Sequence, residues 1–222
     1  MLIELVIPTM LKSEHLRTML PRYQNNPYVT RIHLIDNTCG EFLKQYDTKE
    51  LYKLEVTTPV KNMYVNPSWN YGVSRCKQNS IVGILNDDIL FDDDVFEYII
   101  YFSENMGILG MHNTNFETTE KAYEIVDIPH HCFGWGTAIF IEKRDWVIIP
   151  DELKIFYGDT WMFHNNPIKC KALKGVPMKE SNMSMTTTSP ELIDELRELH
   201  KQDIQAWDKL GRKESRNWDA GK

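Results

Sequence analysis

The sequence predicts an α/β fold: a central, mixed but mainly parallel sheet flanked by helices, with a further helix closing the chain. Three observations predict it. In the first sixty residues short apolar runs alternate with helical and loop segments, in the order strand, helix, strand, loop, strand, which is the spacing of parallel βα units. The run Ile81-Val82-Gly83-Ile84-Leu85-Asn86-Asp87-Asp88-Ile89-Leu90-Phe91 is too short to cross a membrane and suits a fully buried strand. The polar triplet inside that run, Asn86-Asp87-Asp88, cannot be buried mid-strand, because each uncompensated carboxylate would cost several kcal/mol. It therefore belongs at the strand's carboxyl end, where open α/β sheets bind ligands. The other reading of these acids is a cap for the next helix, a task that Asp92, Asp93 and Asp94 can also perform.

In chain order, Leu2 to Ile7 reads as a strand ended by Pro8-Thr9. Ser13 reads as the N-cap of a helix through Glu14, Leu16, Met19 and Leu20, closed by Pro21 and the Asn25-Asn26-Pro27 turn. Arg31 to Ile35 is a second strand ending in Asp36-Asn37, and Leu54 to Thr58 a third, stopped by Pro59. Ser68 reads as the cap of a helix that carries Trp69, Val73 and Cys76 on one face. After the central strand, Asp92 to Asp94 open an amphipathic helix through Val95, Phe96, Ile99, Ile100 and Phe102. Gly107 to Met111 is a strand, Glu124 to Ile128 an edge strand or hairpin arm, and Thr137 to Ile141 a further strand introduced by Phe133-Gly134-Trp135-Gly136. Gly158 to Phe163 starts a short helix, and Leu192, Ile193, Leu196, Leu199, Ile204 and Trp207 mark a long charged one. The expected division is residues 1–189 as the main domain and 190–222 as a helical extension packed on it.

Composition narrows the function classes. The 222 residues are 42% hydrophobic and 26% charged, ordinary for a globular protein. A net charge of -7 gives no general attraction to phosphate backbones, so nucleic acid contact would need a local basic patch. Cys39, Cys76, Cys132 and Cys170 are scattered without a CxxC pair, which fits reduced thiols better than a zinc ribbon or a disulfide framework. Met1 leads directly into a strand-like segment with no basic n-region, and the expected setting is cytoplasmic.

Four fragments stand in a telling order: Asp36-Asn37, Trp69-Asn70-Tyr71-Gly72, Leu85-Asn86-Asp87-Asp88, and Gly158-Asp159-Thr160-Trp161 after Gly134-Trp135-Gly136. Together they resemble the nucleotide-sugar glycosyltransferases of the GT-A fold, family 2-like, in the rhamnosyltransferase-like branch. The resemblance covers residues 2 to 165. It implies that Asp36 reads the nucleobase or ribose, that Asn70 and Asn86 contact the donor, and that Asp87 and Asp88 stand in the DxD-like element. Asp88 is then the direct ligand of Mn²⁺ or Mg²⁺ on the diphosphate, with Asp87 a partial substitute for the charge that Asn86 lacks. Such hard cations take oxygen ligands and stabilise charge on a departing diphosphate. Asp159 is the implied base for the acceptor hydroxyl, with inversion at the anomeric carbon. The family's usual acid before this Asp is Gly158 here. His164, or Glu180, is the implied further metal or diphosphate ligand.

Most of these residues also have structural readings. Asp36 can be a turn-forming residue, Asp159 a helix cap, and Trp135 either a stacking face for the donor beside Gly136 or an aromatic buried under the strand that follows. His130, His131 and Cys132 invite a zinc reading, but adjacent side chains in an extended segment point opposite ways. Lys61 and Arg75 are candidate phosphate partners. The acceptor is open between a glycan, a small molecule and a hydroxymethylated base in phage DNA. The last of these has only Lys209, Arg212, Lys213 and Arg216 behind it, and a likeness to compact enzymes carried by large viruses. The alternatives are a nucleotidyltransferase, disfavoured because Thr9 to Ser13 hold no glycine, and a non-catalytic nucleotide- or sugar-binding module.

Overall fold

The computed structural model describes residues 1–103, 106–180 and 192–210. Its core is an eight-stranded sheet. The amino-terminal half contributes β1 (Ile3–Thr9), β2 (Val29–Asp36), β3 (Leu54–Thr57) and β4 (Ile81–Leu85). These pair in parallel, in the order β3-β2-β1-β4. After the two-residue β5 (Ile89–Leu90) come β6 (Ile108–Met111), β7 (Glu124–Asp127), β8 (Ala138–Glu142) and β9 (Cys170–Lys174). They extend the sheet as β8-β6-β9-β7, with β8 antiparallel to both β4 and β6, and β7 antiparallel at the edge. A short β10 (Lys179–Glu180) pairs separately with β5. The expected mixed, mainly parallel sheet is present, as is the closing helix.

The period-two alternation of β1 explains the layers. Ile3, Leu5 and Ile7 face a core shared with α1 (His15–Asn25) and α4 (Val95–Tyr101). Val6 points the other way, into a second core under α3 (Val65–Arg75), α5 (Gly158–Asn165) and α6 (Ile193–Lys209). A four-residue α2 (Phe42–Gln45) follows β2. With both faces covered, β4 reads as a continuous apolar run and β1 as one broken by Glu4 before its end. Among the described residues no helix is long and apolar enough to cross a membrane.

Three sequence expectations are corrected. Pro21 lies inside α1 and does not end it. The lost N–H is tolerated because Leu20, Tyr23 and Gln24 bury the last turns. Ser68 is not the cap of α3, which starts three residues earlier. Pro67 falls in the first turn, where its missing donor costs nothing, and Ser68 Oγ bonds back to the Tyr64 carbonyl. Finally, β9 was not expected. Its Cys-Lys-Ala-Leu-Lys pattern exposes lysines on a half-buried strand, and only pairing with β6 and β7 makes it one.

Helix α6 is anchored by one buried carboxylate. Asp203 accepts from the backbone N–H groups of Lys154 (2.8 Å), Ile155 (2.9 Å) and Phe156 (2.8 Å). Trp207 stacks on Tyr157, with ring centroids 5.3 Å apart. These contacts fix the loop that runs directly into α5.

Candidate active site

Strand order reverses at β1, since β2 lies on one side of it and β4 on the other, so the crevice between the carboxyl ends of β1 and β4 is the topological switch point. The triplet expected at the strand's carboxyl end is there. β4 ends at Leu85, Asn86 to Asp88 form a turn, and the chain resumes as β5. Across the crevice, the Thr9 hydroxyl at the end of β1 donates to Asp87 Oδ2. Burial raises the Asp87 carboxyl and the charge of Asp88 raises it further, so that even with the Thr9 bond it is pushed up to about 6. Asp88 is 9% exposed. A shielded carboxylate whose proton affinity is raised by burial and by an adjacent carboxylate is a hard oxygen donor in the condition that a divalent cation relieves. The donor set fits Mn²⁺ or Mg²⁺.

Opposite the triplet stands Asp159, in the first turn of α5. The two are linked through Gly136-Thr137: the Asn86 backbone N–H donates to the Thr137 carbonyl at 3.0 Å. A Cβ on Gly136 would meet the Asp159 carboxyl at 2.5–2.8 Å. Gly136 thus gives Asp159 its space, and no other residue fits there without moving the carboxylate. Asp159 Oδ1 accepts from the Thr160 N–H at 2.8 Å, and Oδ2 lies 3.0 Å from His131 Nε2. Burial raises the Asp159 carboxyl, but the neighbouring imidazolium outweighs it and holds the group below its ordinary value. Burial likewise lowers His131, and Asp159 more than reverses this. Each group favours the charged form of the other, so the two are coupled in their titration.

His131 is the site residue that sequence reasoning did not single out in this role. It lies 28 positions from Asp159 in another loop, and no spacing rule joins them. Gly158, where the family resemblance expects an acid, is explained by packing. A Cβ there would lie 2.0 Å from Oδ1 of the buried Asn66, whose side-chain amide donates to the Leu153 and Phe156 carbonyls. Asn66 fills the volume that a side chain at 158 would need.

Four further expectations are corrected. Asp36 does not face the crevice with a free edge. Its Oδ1 accepts from the Thr38 N–H and hydroxyl, and its Oδ2 from the N–H groups of Gly40 and Phe42, which is the turn-forming alternative. Asn70 lies mid-helix on α3 and clamps another segment. It donates to the Ile149 carbonyl and accepts from Ile149 N–H and Trp146 Nε1. Trp135 is fully buried, its Nε1 donating to the Lys171 carbonyl at 2.9 Å, so it presents no stacking face. The exposed ring of this loop is Phe133. His164 is exposed on α5, five residues beyond Asp159 and so roughly 140° around the helix from it. Arg75 ends α3 at the amino-terminal edge of the sheet, far from any phosphate in the crevice. Lys61 is exposed in the loop between β3 and α3. The side chain of Glu180, and Arg212, Lys213 and Arg216, lie outside the described residues. Lys209 is exposed at the end of α6.

No family model matches the sequence, and no curated protein does. Solved structures match the fold. The crystal structure of Staphylococcus aureus TarS residues 1–349 superposes with a TM-score of 0.54 at 10% identity, covering 100% of this chain and 76% of that one. Its complex with UDP-GlcNAc gives 0.57 at 14% identity, covering 91% and 66%. The complex with UDP gives 0.58 at 14% identity, covering 92% and 65%. This chain therefore spans about two thirds of the ligand-bound TarS chains. At this identity the likeness concerns the fold, which is GT-A.

Proposed function

We propose that the protein is a metal-dependent, inverting glycosyltransferase that moves a sugar from a nucleotide diphosphate-sugar to an acceptor hydroxyl. One observation carries this reading. At the switch point of a GT-A sheet, the Asn86–Asp88 turn and the Asp159 carboxylate are brought to either side of Gly136-Thr137. That fold is shared with a TarS chain solved with UDP-GlcNAc.

Asp88 and Asp87 would hold Mn²⁺ or Mg²⁺, which when bound offsets the charge growing on the departing diphosphate. Asn86, fixed by its backbone bond to Thr137, adds a neutral amide beside the acids, suited to a ribose hydroxyl. Asp159 takes the proton of the acceptor hydroxyl as that oxygen attacks the anomeric carbon. Gly136 keeps the space around that carboxylate open, and the exposed Phe133 offers an apolar face to a sugar ring nearby. The L-N-D-D form of the acidic element is the feature that supports the rhamnosyltransferase-like branch.

Thermal-shift screening of UDP-, dTDP- and GDP-sugars with and without Mn²⁺ tests the reading, followed by mass-spectrometric detection of transfer to glycan and hydroxymethyl-DNA acceptors. Metal-dependent stabilisation by a diphosphate-sugar is the expected result. Stabilisation by nucleoside triphosphates alone would move the protein to the nucleotidyltransferases, and no stabilisation by either would make it a non-catalytic module.

A further inference from the structure

We propose that His131 positions Asp159 and governs its ionisation. Uncharged, its Nε2–H aligns the carboxylate toward the acceptor; charged, it disarms the carboxylate as a base. This rests on Asp159 being the base. The geometry is one-sided. The His131 side chain is 11% exposed and that of Asp159 28%, with the two atoms 3.0 Å apart, so the histidine sits behind the carboxylate and touches the crevice through it.

The ring is held on its other sides by uncharged groups. Trp135 and Phe163 each make an edge contact at 5.6 Å between centroids. Cys132, next in the chain, turns its Sγ to the Met111 carbonyl, and burial keeps its thiol protonated. From α5 the charged group facing the ring is Asp159. The protonation state of His131 is therefore set by this one partner against burial, which is what its raised value records.

The reaction then balances as follows. With His131 neutral, Nε2–H donates to Asp159 Oδ2. The acceptor O–H breaks and its proton passes to the carboxylate, the new bond from that oxygen to the anomeric carbon forms, and the old carbon–oxygen bond leaves its electron pair on the diphosphate. With His131 charged, the carboxylate is stabilised as an anion and its drive to take a proton falls. Activity should rise with pH through the histidine range, not the carboxylate range.

The test uses the full chain, Mn²⁺ and UDP-GlcNAc, reading UDP release to water or to a screened acceptor across pH. With the group titrating above 6.5, wild type should be at least about fourfold slower at pH 6.0 than at pH 8.0. His131→Gln keeps an N–H donor but cannot ionise. With Mn²⁺ saturating at each pH, so that protonation of Asp87 does not enter, it should hold its rate within about twofold over that range, whereas His131→Ala should lose at least about tenfold at pH 8.0. An unchanged acid limb in His131→Gln overturns the proposal. Independently, the His131 ring titration followed by NMR should fall below 6.5 in Asp159→Asn, where burial acts unopposed; a titration that does not move overturns it too. If no donor turns over, the transferase reading falls and the positioning role with it. The NMR shift would still tell that failure from a failure of the pair.

Discussion

The two ends of the central sheet bury acids in opposite ways. At the amino-terminal end, Glu4 is 1% exposed on β1. Burial raises it, but the His33 bond at 3.0 Å and the Lys77 N–H at 3.0 Å more than compensate, and it stays below its ordinary value. His33 is held from its other side by Glu55 at 3.5 Å, and Cys76 completes the cluster with its Sγ 3.4 Å from the Gly72 carbonyl. Glu4, His33 and Cys76 have metal-ligating chemistry and lie close together, yet each polar group already has a protein partner. At the carboxyl end, Asp87 meets burial and a like charge together and is pushed up to about 6. One end is a closed hydrogen-bond network buried within the fold. The other is left electrostatically costly.

Breaking the two ends should therefore fail differently. Asp159→Asn should lower transfer by about 10²–10⁴-fold, while metal-dependent donor stabilisation in a thermal-shift assay is retained. Transfer within threefold of wild type would remove Asp159 as the base. At the other end, Glu4→Gln should cost about 1–3 kcal/mol in urea unfolding, because one amide cannot serve both as the acceptor of the Lys77 N–H and as the carboxylate oxygen beside His33, with kcat unchanged in the protein that remains folded. A loss of turnover without a loss of stability would contradict the division of labour.

Asp87 sharpens the contrast through pH. Its folded value lies above the unfolded one of 3.8, so its ionisation opposes folding: the stability it favours is present below 3.8 and is lost as pH rises through about 6. Mn²⁺ competes with that proton. The Tm gain from Mn²⁺ should accordingly be larger at pH 7.5 than at pH 5.0, and Asp87→Asn should melt no lower than wild type at pH 7.5 while losing most of the gain. A pH-independent gain would place the cation elsewhere. The smallest effect belongs to Trp135→Phe, which forfeits the bond to the Lys171 carbonyl and some packing. It should cost about 1–2 kcal/mol of stability without changing the donor KM. A raised KM would restore the stacking role that burial denies it.

The parallel half of the sheet was legible because fully covered strands must be apolar, and because the triplet after Leu85 could not be buried within one. The helix starts were less so. Ser68 and Pro21 carry local signals that tertiary packing overrode, since a helix keeps any turn whose apolar face is buried. Strand β9 left only a faint pattern, because two lysines in five residues hide a half-buried strand. Among the site residues, Asp87 and Asp88 follow the end of β4 and Asp159 lies in the first turn of α5, the element positions read from the sequence. Asp36 and Asn70 have the expected residue types, but spend their hydrogen bonds on neighbouring backbone.

The sequence by itself determined the layered α/β plan, because hydrophobic periodicity is a local consequence of which faces are covered. It also determined where acids could not be buried, because desolvation is a property of the residue and its immediate run. Tertiary structure alone decided which acid meets which partner. His131 and Asp159, Gly136 and the Asp159 carboxylate, and Asn66 and Gly158 are joined across 23 to 92 positions by chain crossings that no local pattern records. Hydrogen bonding and close contact act over about 3 Å, so such pairings exist only once the whole sheet has brought its loops together.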